Sequence, residues 1–579
     1  MLSTALIAKL INDTEQCLYT YPGGAIAPLL HECKRCGIDL IVSRAEQGAG
    51  YMAIAHASFT GRPSFVAVTS GPGATNLITC LADAYYDSIP LVAFTGQVGT
   101  RDLNRAPSLR QRGFQEAPVI AMVSPITKAV FQPKNPEQLA EMLNRAYVIS
   151  QSNRPGPVLI DLPMDVQMAK IDPNLLLEVD ISKDIAISSI ESTIPDHLLE
   201  HIKNSLLAAR RPLVLIGGGV QEDWSRIRGL AKRTRIPAVS SLRGLGIMSY
   251  KDPLFAGWIG HTGLPWANWT LAQADWVLVL GSRLDIRQTG TEVGQLENKI
   301  IVHVDIDQNE LTHGRFNRTF QIHTTARSFL DSFMDRMEGE LLPDWVLWRN
   351  EVQSQKEKMK LNDHGQEEGV CPDELFSYVD MLTRKRKTAV VTGVGAHQQW
   401  AARYFSFDRP HKLFFTSAGH GTMGYCLPVA IGLKRMENDR LVIAIDGDGS
   451  FQMNLQELAL IKSHNLDLKI IIMDNSRLGM VSQFQQITFG DDPATGYFPN
   501  PDLAKISIAY GLSTFKLNNF DKGTIKNWLS CPKSSVLHVR AQHDAPVSPT
   551  LLAEQHLDDM WYWSPPISKQ KKGEGAHGR

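Results

Sequence analysis

Two apolar runs that end in polar residues constrain this chain most. Leu441-Val442-Ile443-Ala444-Ile445 leads into Asp446-Gly447-Asp448-Gly449-Ser450. Leu468-Lys469-Ile470-Ile471-Ile472-Met473 leads into Asp474-Asn475. Short apolar runs closed by such turns read as buried parallel strands with helices between them. Ligands of such sheets gather beyond the carboxyl ends of the strands. Asp448 and Asn475 then reach the same edge as two oxygen ligands, a set that suits Mg²⁺. A hard cation beside a glycine turn predicts a phosphorylated ligand held through the metal.

The same rhythm of strand, glycine turn and helix occurs in three regions, which predicts an α/β chain of three doubly wound parallel-sheet domains. The first covers residues 1–165, with strands at 39–42, 64–69, 91–94 and 158–161 and a helix at the start, residues 1–11. The second covers 196–340, with strands at 212–216, 276–280 and 300–305. The third covers 371–545. Polar residues 166–195 and charged residues 350–368 read as linkers, the latter with helical content. Residues 559–579, Trp- and Pro-rich and then basic, read as a flexible tail. The first and third regions both carry glycine turns after strands, which points to a shared architecture.

Composition narrows the class. The 579 residues are 43% hydrophobic and 21% charged, as in an ordinary globular protein, and the formal net charge of −1 gives no support to nucleic-acid binding. No run of ~18 apolar residues predicts a membrane span. Seven scattered cysteines argue against a disulfide framework and for a reducing compartment, the cytoplasm. Cys33-Lys34-Arg35-Cys36 has no second pair, so ordinary thiols are the expectation rather than a metal site.

Further motifs extend the pattern. They include Tyr21-Pro22-Gly23-Gly24-Ala25, Glu46-Gln47-Gly48-Ala49, Ser70-Gly71-Pro72-Gly73-Ala74-Thr75-Asn76 and Phe114-Gln115-Glu116. Later come Gly421-Thr422-Met423-Gly424, Gln452-Met453-Asn454-Leu455-Gln456-Glu457-Leu458 and Leu478-Gly479-Met480-Val481. Together with Gly447-Asp448-Gly449 and Asp474-Asn475, this text resembles the thiamine-diphosphate-dependent enzymes, and most of all the acetolactate synthase large subunit. The resemblance runs in order over about residues 1–545.

What it implies can be carried over residue by residue. Asp448, Asn475 and the Arg477 carbonyl bind Mg²⁺, which holds the diphosphate. Glu46 is the activating glutamate, hydrogen-bonded to the cofactor's pyrimidine ring; that job needs a carboxyl in an apolar pocket, and Leu40-Ile41-Val42 flank it. Met423 is the wedge that bends thiamine diphosphate. Phe114, Gln115 and Lys128 belong to the catalytic set. Pro22, Gly23, Gly24, Thr69, Asn76 and Gln97 contact the cofactor from the first domain, and Gly421, Gly449 and Ser450 from the third. In the second region, Gly217-Gly218-Gly219, Gly281, Arg283, Asp285, Arg287, Asp305 and Ile306 resemble flavin-binding segments, which implies a structural FAD. Glu46 of one subunit is expected to meet Asp448 of another, implying a homodimer or homotetramer, with a regulatory subunit as a possible partner.

The expected reaction is decarboxylation of pyruvate and transfer of the two-carbon hydroxyethyl unit to a 2-keto acid. Two departures bear on the acceptor. Phe484 stands where members that prefer a second 2-keto acid carry tryptophan, and Gly260-His261-Thr262-Gly263 replaces Gly-Met-His-Gly. With Arg283 and Met480, His261 and Phe484 form the expected acceptor pocket. A different ketone, such as a nucleotide-linked keto-deoxysugar, stays open as acceptor. Pyruvate oxidase or decarboxylase chemistry and an inactive paralogue are weaker rivals.

Overall fold

The computed structural model describes residues 1–103, 108–181 and 193–563. Three six-stranded sheets follow one another along the chain. The first holds β1 (Cys17–Tyr21), β2 (Asp39–Val42), β3 (Ser64–Val68), β4 (Leu91–Gln97), β5 (Ala129–Phe131) and β6 (Pro157–Pro163). The second holds β7 (Pro212–Ile216), β8 (Ala238–Ser240), β9 (Phe255–Trp258), β10 (Trp276–Leu280), β11 (Ile300–Asp305) and β12 (Phe320–His323). The third holds β13 (Thr388–Thr392), β14 (Lys412–Phe415), β15 (Leu441–Gly447), β16 (Lys469–Asp474), β17 (Ser513–Leu517) and β18 (Ser535–Arg540). The named strands pair in parallel throughout.

Strand order shows how the domains are related. The first sheet runs β2-β1-β3-β4-β6-β5 and the third β14-β13-β15-β16-β18-β17. Counted from each domain's own first strand, the two orders are the same. The middle sheet runs β12-β11-β10-β7-β8-β9, which is the 3-2-1-4-5-6 order of dinucleotide-binding folds read from its other edge. In each sheet the winding reverses between two neighbouring strands, and the turns after those strands leave a crevice. The reversal lies between β1 and β3, between β7 and β10, and between β13 and β15.

The central strands carry almost unbroken apolar runs because both faces are covered. All five residues of β3, β7, β10 and β13 are buried. The apolar start of the chain forms the helix Thr4–Asp13, with Leu6, Ile7, Leu10 and Ile11 buried under the first sheet. One apolar cluster unites the first and third domains. The helix Glu46–Thr60 lies against the helix Cys426–Met436, and Met52, Ala55, Val429 and Leu433 share that core. Glycine permits the contact: a Cβ on Gly432 would stand 2.9 Å from Ala55 Cβ and from the Met52 carbonyl.

The flexible-tail expectation fails in part. Trp561 pairs with Thr550 in both directions across the backbone, and the Trp563 amide donates to Ser548 Oγ at 3.0 Å. Met560 and Trp563 are buried, because this segment closes over the central domain. Residues 564–579 lie outside the described residues. The stretch expected as a first linker begins with the short helices Met164–Met168 and Pro173–Glu178, and Leu175 and Leu176 pack on the first domain's core. Residues 182–192 of it lie outside the described residues. The second expected linker opens on the helix Val346–Lys358.

Candidate functional site

The turn after β15 places Asp448 as the first residue of a short helix, buried at the reversal of the third sheet. Its Oδ1 accepts the Gly449 amide at 2.9 Å, and its Oδ2 accepts the Ser476 amide at 2.8 Å and Asn500 Nδ2 at 2.6 Å. Asn500 also donates to Asp474 Oδ1 at 2.9 Å, and His538 lies 2.9 Å from Asp474 Oδ2. Burial pushes the Asp448 carboxyl up to about 7. Burial also acts on Asp474, but the bonds from His538 and Asn500 outweigh it and hold that carboxyl below its usual range. Asn475 Oδ1 accepts the Arg477 amide at 3.3 Å, and His543 donates to the Asn475 carbonyl at 2.6 Å. The Arg477 side chain turns away to Asp492 and the His543 carbonyl.

Beside this turn lies the loop after β13, which the sequence reading missed. A Cβ on Gly393 would stand 2.1 Å from Asp446 Oδ1 and 2.6 Å from Ser450 Oγ. His397, at the start of the next helix, is buried with its Nε2 3.5 Å from Asp446 Oδ1. Neither His397 Nε2 nor Asp446 Oδ2 finds a hydrogen-bond partner among the described residues. Gly421, at φ 76°, Met423 and Gly424 face the same turn, with the Gly424 amide donating to Ser450 Oγ at 2.9 Å.

A cavity of about 770 Å³ joins this turn to the reversal of the middle sheet, within the size range of cofactor sites. From the third domain it takes Val394 to Trp400, Met423, Asp448 to Ser450, Asn475 and Arg477. From the middle domain it takes Gly218, Gly219, Gly281, Arg283, Asp285, Arg287, Asp305 and Ile306. Gly217 lies beneath rather than in the lining: a Cβ there would be 1.8 Å from the Gly281 carbonyl oxygen, so the two turns touch through their backbones. Arg283 pairs with Asp285 at 2.8 Å. Burial raises the Asp305 carboxyl to about 6.

The first domain's reversal faces elsewhere. Glu46 opens the helix Glu46–Thr60, is buried, and accepts Asn76 Nδ2 at 3.0 Å. Gly23 and Gly73 press on Thr69, and Thr69 Oγ1 accepts the Ala25 amide at 3.3 Å. Gln115, at φ 59°, holds its carbonyl against Gly71, and the neighbouring Phe114 is 88% exposed. Pro22 and Gly24 are exposed on this edge. Neither Glu46 nor Asn76 lines the cavity that contains Asp448.

Three expected site residues are placed differently. Gln97 is turned into its own domain, bonded to Asp161, to the Ala117 carbonyl and to the Val98 amide, so its amide is spent on the fold. Lys128 donates to the carbonyls of Ile149 and Ser152, and burial lowers its ammonium to about 8; it lies outside the cavity. Phe484 is 60% exposed, because the helix Gly479–Phe489 turns Ser482 and Gln483 inward and sets Phe484 edge-on to Phe489. Of the expected acceptor pocket, His261, Arg283 and Met480 line the cavity and Phe484 does not. Burial, then the charges of Arg287 and Arg403, lower the His261 imidazole to about 4, which keeps it neutral near pH 7.

Comparison with known proteins follows this division. Family models for the N-terminal TPP binding domain, the central domain and the C-terminal TPP binding domain of thiamine pyrophosphate enzymes match residues 1–122, 199–333 and 393–539. The chain belongs to the thiamine pyrophosphate enzyme family. Among its relatives, the Escherichia coli acetolactate synthase isozyme 2 large subunit is 34% identical over 546 residues, which is 92% of this chain and 94% of that protein. The Lactococcus lactis acetolactate synthase large subunit is 34% identical over 87% of this chain and 86% of its own. Tobacco acetolactate synthase 2, chloroplastic, is 34% identical over 95% of this chain and 83% of its own. The two TPP-binding domains of this thiamine pyrophosphate enzyme are thus the two that share a strand order. Among the described residues no helix is long and apolar enough to cross a membrane.

Proposed function

We propose that this thiamine-diphosphate enzyme decarboxylates pyruvate and transfers the two-carbon hydroxyethyl unit to a 2-keto acid, a reading supported by relatives named acetolactate synthases. The observation that carries the reading is the single cavity joining the dinucleotide-type reversal of the middle sheet to the Asp448–Asn475 turn. Thiamine diphosphate supplies the electron sink for decarboxylation and carbon–carbon bond formation. The remaining work belongs to the chain.

Asp448, Asn475 and the Arg477 carbonyl would hold Mg²⁺. The donor set fits: a buried carboxylate, a side-chain amide oxygen and a backbone carbonyl at one turn are the hard oxygen ligands that Mg²⁺ takes. The unpaired His397 Nε2 and the Gly449 and Ser450 turn suit a diphosphate beside that ion. FAD fits the middle domain, where the side-chain-free backbones of Gly218, Gly219 and Gly281 line the cavity at the sheet's reversal. Asp448→Ala should weaken thiamine diphosphate binding at fixed Mg²⁺ by at least about tenfold. Fluorescence titration checks this, and an unchanged affinity sinks the metal assignment.

Glu46 reaches a cofactor bound at Asp448 only from another copy, which makes the working unit at least a homodimer. The open edge that carries Pro22, Gly24 and the exposed Phe114 is the surface such a copy would cover. A separate regulatory subunit belongs to the same reading, since two of the relatives are named large subunits. A reducing, cytoplasmic setting belongs to the same proposal, resting on the sparse, scattered cysteines of the sequence.

A second reading keeps the donor and changes the acceptor to a bulkier ketone, such as a nucleotide-linked keto-deoxysugar. The position of Phe484 outside the cavity and the neutral His261 within it favour that alternative. Product analysis after incubation with labelled pyruvate, alone and with each acceptor, separates the two. Labelled acetolactate from pyruvate alone is the expected result; its absence moves the assignment to the bulkier ketone.

A further inference from the structure

We propose that His364, Cys371 and Asp373 form a binding site for a borderline-soft divalent cation, Zn²⁺ being the best match, which clamps the connector before the third domain to that domain's first helix. The three side chains lie outside the cavity described above. One ligand atom from each lies within 4.8 Å of the others. His364 Nδ1 is 3.0 Å from Cys371 Sγ, while its other nitrogen, Nε2, is 3.0 Å from Asp373 Oδ2, so the ring must turn to give one nitrogen to an ion shared with both.

Both frames that carry the ligands are held. The connector amides of Gly365, Gln366 and Glu367 donate to Gln542 Oε1, Asp544 Oδ2 and Asp544 Oδ1 at 3.0, 2.7 and 3.1 Å. On the other side, the Val370 amide donates to the Arg540 carbonyl at 2.8 Å, which fixes Cys371 at the head of the helix Pro372–Thr383. Asp373 sits in that helix's first turn, so its carboxylate and the thiol stay neighbours.

The ligand types choose the ion. Thiolate, imidazole and carboxylate together are a Zn²⁺ set, whereas Mg²⁺ demands oxygen ligands. Around a tetrahedral Zn²⁺, a thiolate sulfur and an imidazole nitrogen stand about 3.6 Å apart. The exposed imidazole can open that gap, since the His364 side chain is 55% exposed. Binding forms one bond from the metal to each ligand and releases the Cys371 thiol proton to solvent; water fills the fourth position.

Co²⁺ titration of the full chain, with thiamine diphosphate and Mg²⁺ saturating, tests this. The expected result is a thiolate-to-Co²⁺ charge-transfer band that saturates at one equivalent per chain and is bleached by Zn²⁺. Cys371→Ser should abolish the band. His364→Ala, a change at an exposed residue, should weaken Co²⁺ binding by at least about tenfold while keeping the circular dichroism spectrum and the basal activity. No charge-transfer band in the parent protein, or a band with unchanged affinity in His364→Ala, overturns the site.

Discussion

Glu46→Gln is expected to lower the turnover of pyruvate by about 10²–10⁴-fold, the range for loss of a positioned acid–base group, at saturating thiamine diphosphate. The amide is nearly isosteric and can still accept the Asn76 Nδ2 bond that orients Glu46 at 3.0 Å. What it cannot do is exchange a proton with the cofactor ring. The loss should therefore appear in kcat, with fold, assembly and cofactor affinity intact. Steady-state pyruvate consumption beside a cofactor titration reads both quantities. Unchanged consumption would overturn the role of Glu46, and no consumption by the parent protein would point to an inactive or purely binding protein.

The second large effect concerns stability. Arg403 and Asp363 form an ion pair with no exposure on either side chain, at 2.5 Å. The guanidinium also donates to the carbonyls of Thr262, Ser548 and Pro549 at 2.8–3.1 Å. One arginine of the third domain thereby ties together the connector, the middle domain and the segment that closes over it. Asp363→Ala would leave that positive charge buried without its partner, at a cost of about 3–5 kcal/mol. Urea denaturation should show the loss in the transition of the third domain. A loss under about 1 kcal/mol would show that water reaches the pair and that the segment closing over the middle domain is held by its apolar contacts alone. Asp363→Ala should also loosen the Gly260–Gly263 turn, because the Thr262 carbonyl is one of the arginine's acceptors.

Much of the fold was legible in local pattern. The runs at 212–216, 276–280 and 300–305 coincide with β7, β10 and β11, since a strand buried on both faces must be apolar along its whole length. Strands β5, β8 and β9 escaped detection, being short and little different in composition from the loops around them. The resemblance brought Glu46, Asp448 and Asn475 into view, and strand-end logic alone found the last two. Asn500 and His397 were missed because no motif links them to Asp448; a fold brings them there across 52 and 51 positions. Gln97, Lys128 and Phe484 matched motifs, yet their side chains went where hydrogen-bonding demand or helix phase sent them.

By itself, the sequence determined where strands end in glycine turns and which polar residues those turns carry, because burial on both faces and backbone freedom at glycine act over a few residues. Which turns meet was decided only by the tertiary structure. The order of strands in each sheet sets the reversal points, and the packing of the Glu46–Thr60 helix on the Cys426–Met436 helix fixes the first domain against the third. Those are contacts between residues hundreds of positions apart. They join the middle and third reversals in one cavity and leave Glu46 outside it.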